Sequence, residues 1–312
     1  MGILLFLNKF GEMLNIEDVE RRLRDNPEPK EVTQIRKKIL DTFSDLVFVN
    51  DGHKYYRNTK DGQLPLISVS EFTHQFSPEQ DWEAIAERYA LKHGRTKEDV
   101  QKEWFCHNHM ATNNGTGVHL YGEGLYYMAM GQMDKILNIF EDDEKTVYND
   151  LHTLAPQYEA GYLFPHSPKE VAALKFWEDI LEVKSYYPVL AETRVYTEKY
   201  AGTFDLLYYY KHPLKESKSG LIIFDYKTNA SLTNDYAIEH RQMMLEPFDC
   251  LVDQAHSHYT LQLSSYQIPL QRLGMNVIGR KIIWLKPDET YEKIDLEDVS
   301  PTIEQIITDD RR

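Results

Sequence analysis

Apolar residues recur at helical spacing early in the chain, with Ile16, Val19 and Leu23 in one run and Val32, Ile35 and Ile39 in the next. Asn26-Pro27-Glu28-Pro29 lies between the runs, so the pattern predicts two helices ahead of Phe43 with a break between them. Leu46-Val47-Phe48-Val49 and His53-Lys54-Tyr55-Tyr56-Arg57 flank Asn50-Asp51-Gly52, the signature of a β-hairpin closed by a tight turn. Leu66-Ile67-Ser68-Val69 reads as another strand, and Ser70 with Glu71 behind it reads as the start of a helix leading toward Trp82 and Ile85. From there to about Tyr148 the pattern is mostly helical. Its one punctuation is Asn113-Asn114-Gly115-Thr116-Gly117, with a helix expected behind it over Val118 to Met130. A loop is expected from Ala155 to Ser167, then a helix from Pro168 to about Leu181 with proline in its first turn.

The texture changes after Tyr187. Three consecutive runs are rich in β-branched and aromatic residues: Tyr187 to Tyr196, Gly202 to Tyr210 and Leu221 to Lys227. Polar segments bound each run, as in a meander, and Lys211 to Gly220 is the exposed turn between the last two. A long helix follows from about Tyr259 to Leu273, stopped by Gly274, and Val277 to Leu285 is a further strand ended by Pro287. The order is helices, three strands, helix, strand, which predicts an α/β fold with a central mixed sheet flanked by helices. The expected divisions are an amino-terminal helical region with a hairpin (1–110), a core (111–295) and a partly mobile acidic tail (296–312).

Composition narrows the function classes. The 312 residues carry 35 Lys+Arg against 50 Asp+Glu, a net charge of −15, which argues against coating nucleic acid by bulk charge. A local basic groove, or a metal ion that supplies positive potential, is compatible with that total. Cys106 and Cys250 are the only cysteines, so a disulfide framework and any four-cysteine zinc or iron–sulfur site within the chain are excluded. A reducing, intracellular and cytoplasmic setting is expected. The apolar opening Met1 to Leu7 is interrupted by Lys9 and Glu12, well short of the ~20 residues of a membrane span, and reads as the start of a buried helix. No membrane association is expected.

The candidate chemistry lies at Asp225-Tyr226-Lys227, at the end of the most apolar strand, where Asp225 and Lys227 share a face. Asp205 stands on the preceding strand behind Gly202-Thr203-Phe204. Adjacent antiparallel strands can bring both carboxylates to one point, where burying two like charges is unfavourable unless they share a cation. A hard, oxygen-seeking Mg²⁺ or Mn²⁺ is the natural occupant.

Taken in order, Gly115-Thr116-Gly117-Val118-His119-x-x-x-Glu123, Gly202-x-x-Asp205, Asp225-Tyr226-Lys227-Thr228 and Gln262-x-x-x-Tyr266 resemble the PD-(D/E)XK nuclease superfamily. The RecB-like exonuclease branch, with its phage and mitochondrial relatives, fits best, and a phage-type member is the reading taken. The resemblance spans roughly His119 to Leu285. More weakly, Tyr55-Tyr56 through Leu66 to Ser70 is also similar to phage members. It implies a restriction-endonuclease-like core and a divalent-metal-dependent DNA nuclease, most simply an exonuclease acting on ends in recombination, repair or replication. Asp205 and Asp225, the Tyr226 carbonyl and His119 would bind the metal, and Lys227 would orient or activate the attacking water and offset charge on the phosphate. Gln262 and Tyr266, one helical turn apart, and Thr228 would contact the substrate strand or support Lys227. Glu123, at i+4 from His119, could hold its ring or bind a second ion. Two features depart from the pattern: Phe204 rather than proline precedes Asp205, and the cysteines of an iron–sulfur cluster are missing, so no cluster is expected.

Several residues carry a plainer reading. Glu192 could reach the metal, but a carboxylate satisfied within its strand is preferred. His240, Arg241, His256 and His258 near Cys250 match no zinc spacing and read as a solvated loop that could fold over DNA. At least one of Tyr208, Tyr209 and Tyr210 must be core, and Arg21, Arg22, Arg24, Lys37 and Lys38 read as solvated faces. The expected partners are DNA and a helicase, recombinase or other loading protein. The alternatives are an endonuclease or flap nuclease of the same chemistry, or a non-catalytic subunit with a nuclease-like fold.

Overall fold

The apolar, β-branched runs that dominate the second half of the chain form the middle of one eight-stranded sheet. The computed structural model describes residues 16–49, 52–132, 134–136 and 163–309. The apolar opening, the hairpin turn at Asn50-Asp51, the stretch to Tyr148 and most of the loop before Ser167 fall wholly or partly outside those residues.

Helices α1 (Ile16–Asp25) and α2 (Lys30–Thr42) are separated at the expected proline-rich break. Strands β1 (Leu46–Val49), β2 (Lys54–Thr59) and β3 (Gly62–Ser68) follow as an antiparallel ribbon. The next helix, α3 (Val69–His74), is capped by Ser68, whose Oγ accepts the Glu71 N–H at 3.0 Å, so the cap lies two residues before the expected Ser70. Next come α4 (Trp82–His93) and the 33-residue α5 (Lys97–Ala129). After the undescribed stretch the order is α6 (Pro168–Glu182), β4 (Tyr186–Tyr196), β5 (Tyr200–Tyr210), β6 (Gly220–Lys227), α7 (Asp235–Glu239), α8 (Ala255–Arg272), β7 (Val277–Leu285), β8 (Tyr291–Asp295) and α9 (Ser300–Asp309).

The sheet runs β1-β2-β3-β5-β6-β7-β8, with β4 on the other edge of β5. The β3–β5 and β6–β7 pairs are parallel and the rest antiparallel, so this is an α/β molecule with a mixed central sheet. Helices α5 and α6 cover one face, with Tyr121, Leu125, Phe176 and Trp177 packed on Ile222, Phe224 and Tyr226. Helices α2, α3, α8 and α9 cover the other, where Ile39, Phe72, Leu261 and Ile303 meet Leu221 and Ile223. Alternate residues of β6 therefore feed opposite cores, as the strand period requires.

Three features differ from the sequence expectation. Helix α5 runs without interruption through Asn113 to Gly117 and across the expected boundary at 110/111. Glycines inside a helix cost stability, but here they admit close neighbours: a Cβ on Gly122 would lie 2.6 Å from the Tyr226 ring. The amino-terminal ribbon extends the central sheet, β3 pairing with β5 through Ile67↔Tyr200 and Ser68↔Ala201. The acidic tail instead carries α9, which packs on α8 with Ile303 and Ile307 fully buried.

Burial of that helix has a measurable cost if disturbed. Ile303→Ala is expected to destabilise the protein by about 2–5 kcal/mol in urea unfolding, since it opens a cavity under α9. A change below ~0.5 kcal/mol would indicate a tail that contributes no packing.

Candidate metal centre

Strand β5 is the axis of the site. On one edge it pairs with β3 only at Tyr200 and Ala201, and with β6 only from Leu206 onward. The edge between them, residues 202–205, has no strand partner among the described residues. Val69 at the start of α3 and Tyr266 of α8 close over Gly202, where a Cβ would stand 2.9 Å from Val69 Cγ2 and 2.7 Å from Tyr266 Cε1. Asp205 occupies the mouth of this gap, and β6 diverges beside it into Asp225, Tyr226 and Lys227.

The alternation of β4 and β5 slips at the same level. Leu206 packs in the α5–α6 core while Phe204, two residues away, packs in the opposite one. On β4, Ala191 and Val195 are likewise divided between the two cores. Glu192 lies between them at φ +42°, a left-handed conformation that costs a non-glycine residue roughly 1–3 kcal/mol. This reversal aims the Glu192 carboxylate at His119 of α5. His119 Nδ1 lies 3.3 Å from Asp205 Oδ2 and 3.6 Å from Glu192 Oε1. One ligand atom from each of the three residues falls within 4.8 Å of the others, a spacing that could hold a metal ion.

Asp205 and Asp225 are buried, at 7% and 1% exposure. Asp205 Oδ2 accepts the Tyr226 N–H at 2.7 Å. Asp225 Oδ2 forms an ion pair with the Lys227 ammonium without hydrogen-bond geometry, which places the two i, i+2 side chains on one face as expected. Glu192 Oε1 is buried with no hydrogen-bond partner.

These contacts divide the carboxyls electrostatically. Burial alone would push Asp205 up, but the His119 and Lys227 charges and the Tyr226 N–H outweigh it and hold the group below its ordinary range. Asp225 is pushed up to about 6 by burial and by repulsion from Asp205, against the pull of Lys227. Burial pushes Glu192 up to about 7, with His119 opposing. For His119, burial favours the neutral ring, yet Asp205 and Glu192 keep it charged well above the usual range. Lys227 likewise stays charged, because Asp225 and Asp205 overcome the burial of its ammonium.

The surrounding residues hold Lys227 and the strand end. Its Nζ lies 4.5 Å from the Tyr259 ring centroid, and the Tyr259 hydroxyl donates to Asn229 Oδ1 at 2.6 Å. Lys169 Nζ donates to the Thr228 carbonyl at 2.6 Å, and Trp177 Nε1 donates to the Tyr226 hydroxyl at 2.8 Å. Gln262 Nε2 donates to the Tyr266 hydroxyl at 3.2 Å. Tyr266 is only 4% exposed, so among these two expected substrate contacts the half-buried Gln262 alone offers surface. Glu123 engages the Tyr127 hydroxyl and lies outside the group of three ligand atoms.

Glu192 is thus placed differently from the preferred sequence reading, since it faces His119 rather than being satisfied along its strand. No sequence signal marks a left-handed glutamate. Tyr259 was also missed, although Tyr259, Gln262 and Tyr266 follow i, i+3, i+7 spacing that a helical wheel would have joined. His256 and His258 lie in the first turn of α8 rather than in the expected loop, His258 pairing with Asp253 at 2.8 Å, while His240 follows α7 and stacks on Tyr236. Tyr208 is fully buried, and Lys38 Nζ donates to the Leu273 carbonyl. No described helix is long and apolar enough to cross a membrane. Neither known protein-family models nor curated proteins give a match to this chain.

The buried charges set a pH dependence. In the unfolded chain Asp225 and Glu192 ionise near 3.8 and 4.5, whereas in the folded protein they keep protons to about 6 and about 7. Between these limits the folded state binds more protons, so with EDTA present this contribution to stability falls as pH rises from about 4 to 7. Glu192→Gln removes one such charge. It is expected to flatten the fall and raise the melting temperature at pH 8 by about 2–4 °C, followed by circular dichroism. A variant that melts lower than wild type at pH 8 would contradict this account.

Proposed function

We propose that the chain is a divalent-metal-dependent DNA nuclease that hydrolyses phosphodiester bonds, most simply as an exonuclease on DNA ends. The observation that carries this reading is the convergence of His119, Glu192 and Asp205 around a buried carboxylate oxygen that has no hydrogen-bond partner among the described residues, beside the Asp225–Lys227 pair. The residues that carry the resemblance to the RecB-like branch of the PD-(D/E)XK nucleases are distant in sequence and meet at this one sheet edge, which supports the assignment.

The donor set fits a hard divalent ion: carboxylates with one imidazole, mutually repelling until a cation joins them. Held by His119, Glu192, Asp205 and Asp225 with the Tyr226 carbonyl, Mg²⁺ or Mn²⁺ would supply a polarised phosphoryl group and a water of lowered pKa. Lys227 is the complementary group. Because its ammonium stays charged, it acts as a fixed cation that orients water and offsets phosphate charge rather than as a neutral base. Asp225 and the Tyr259 ring hold that ammonium, and Tyr226, anchored by Trp177, keeps the strand end against Asp205. With a net charge of −15, engagement of DNA is assigned to local surfaces or to a loading partner such as a helicase or recombinase.

The test is cleavage of linear and covalently closed DNA, single- and double-stranded, with Mn²⁺, Mg²⁺ or EDTA. Metal-dependent loss of linear DNA alone is expected, reduced at least about a hundredfold by Lys227→Ala and by Asp225→Ala. Cutting of closed circles would assign an endonuclease instead. No cleavage, together with no Mn²⁺-dependent rise in melting temperature, would sink the enzyme reading and leave a nuclease-like binding subunit.

Binding of the ion itself is separately measurable. Mn²⁺ is expected to raise the melting temperature of the wild-type protein and to leave that of Asp205→Ala unchanged, because a ligand of the folded state must stabilise it. An equal rise in both proteins would place the ion elsewhere.

A further inference from the structure

A cleft of about 1090 Å³ opens between α4 and the segment formed by α7 and the start of α8. It exceeds the ~300–1,000 Å³ of an ordinary small-molecule pocket. Helix α4 turns two faces to different fates. Ala86 and Ala90 pack against Val100 of α5, while Trp82, Ile85, Arg88, Tyr89 and Lys92 line the cleft. Trp82 is 64% exposed, and Tyr236 on the α7 wall is 60% exposed. Tyr236 stacks on His240 and Tyr89 packs on His93, so Trp82 is the most open of the cleft's rings, and together they make an aromatic lining of the kind that marks a binding groove.

The charges around the rings point the same way. Arg88 and Lys92, one helical turn apart, form no ion pair among the described residues. The cleft's two acidic side chains are Glu79 and Asp253, and Asp253 Oδ1 lies 2.8 Å from His258 Nε2. In a chain of net charge −15, this places unneutralised basic residues beside exposed aromatic rings.

The cleft adjoins the helix start that covers Lys227, although no residue of the candidate metal centre lines it. His258 and Gln254 line it, and the next residue after His258, Tyr259, covers Lys227. The chain leaving Lys227 is tied to this helix start: His256 N–H donates to the Leu232 carbonyl at 2.9 Å and Asn234 N–H to Gln254 Oε1 at 3.1 Å.

We propose that the cleft holds single-stranded nucleic acid, with bases stacked on Trp82 and Tyr236 and phosphates running along Arg88 and Lys92, and directs the strand toward Lys227. Stacking on side chains requires bases whose faces are free, which a duplex does not offer, and successive aromatic rings with interleaved cations suit a strand of any sequence. The delivery step rests on the nuclease reading, whereas strand binding stands on the cleft alone.

The experiment uses the full-length protein in EDTA, with fluorescence anisotropy of labelled oligothymidylate and of a blunt duplex of equal length. Wild type is expected to prefer the single strand. Trp82→Ala and Tyr236→Ala are each expected to weaken binding about tenfold. Arg88→Ala is expected to reduce the slope of log affinity against log salt by about 0.7. All three positions are exposed, so the melting temperature should be unchanged. Single-strand binding that none of the three changes affects, no binding by wild type, or equal binding of the duplex would overturn the proposal. Cleavage is measured in parallel with Mn²⁺. Strand binding that depends on Trp82 without cleavage would sink the nuclease reading and leave the cleft standing; cleavage with binding indifferent to the three changes would do the reverse.

Discussion

Asp205, Asp225 and Glu192 are brought to one end of the sheet together with His119 and Lys227, in a space from which most water is excluded. Carboxylates there repel one another more strongly than at the surface, because little solvent screens them. The protein's own cations neutralise only part of this repulsion. The result is a division of labour: Asp205, beside the charged His119 and accepting a backbone N–H, stays readily ionised, while Asp225 and Glu192 hold protons well above the ordinary carboxylate range. Such an arrangement is unfavourable for the isolated chain and favourable for one that gains a divalent cation. Many surrounding features serve to keep these groups together despite their repulsion.

Geometry is imposed from both strands and both helical layers. On β4 the left-handed backbone at Glu192 turns its side chain toward α5, and on β5 the face of the strand changes at Asp205. The gap between β3 and β6 then leaves Asp205 without a strand neighbour on that edge. Gly202 lets Val69 and Tyr266 close the back of the gap, and Gly122 lets α5 lie directly on the Tyr226 ring. Helix α5 thereby presents His119 at the correct height. Strain at one residue is tolerated because the packed helices and the paired strands around it over-determine its position.

The same strand end adjoins the cleft proposed to hold a nucleic-acid strand. Lys227 is covered by Tyr259 at the start of α8, and α8 begins at the cleft whose other wall is α4. Helix α5 connects these in a second way, since its first turns support α4 while its later turns carry His119. A strand lying in the cleft would therefore be held by elements that are continuous with the metal centre.

Much of this architecture was legible in the chain's own pattern. Period-two runs located β4 to β7, proline and glycine punctuation located the breaks around α1, α2, α6 and α8, and the i, i+2 relation put Asp225 beside Lys227. Local chemistry is enough for these, because strand and helix periods are set by the backbone. The uninterrupted α5 was not legible, since Asn113 to Gly117 carries every mark of a turn, and only the close approach of Tyr226 to Gly122 and of Leu163 to Gly124 explains the glycines further along the helix. Nor was α9, whose acidic surface hides Ile303 and Ile307 until α8 is present to bury them. By itself, then, the sequence determined the elements and the types of group available for chemistry. Tertiary structure alone decided that Glu192 faces His119, that Tyr259 covers Lys227 and that α4 stands across a cleft from α7, because each depends on contacts between residues far apart in the chain.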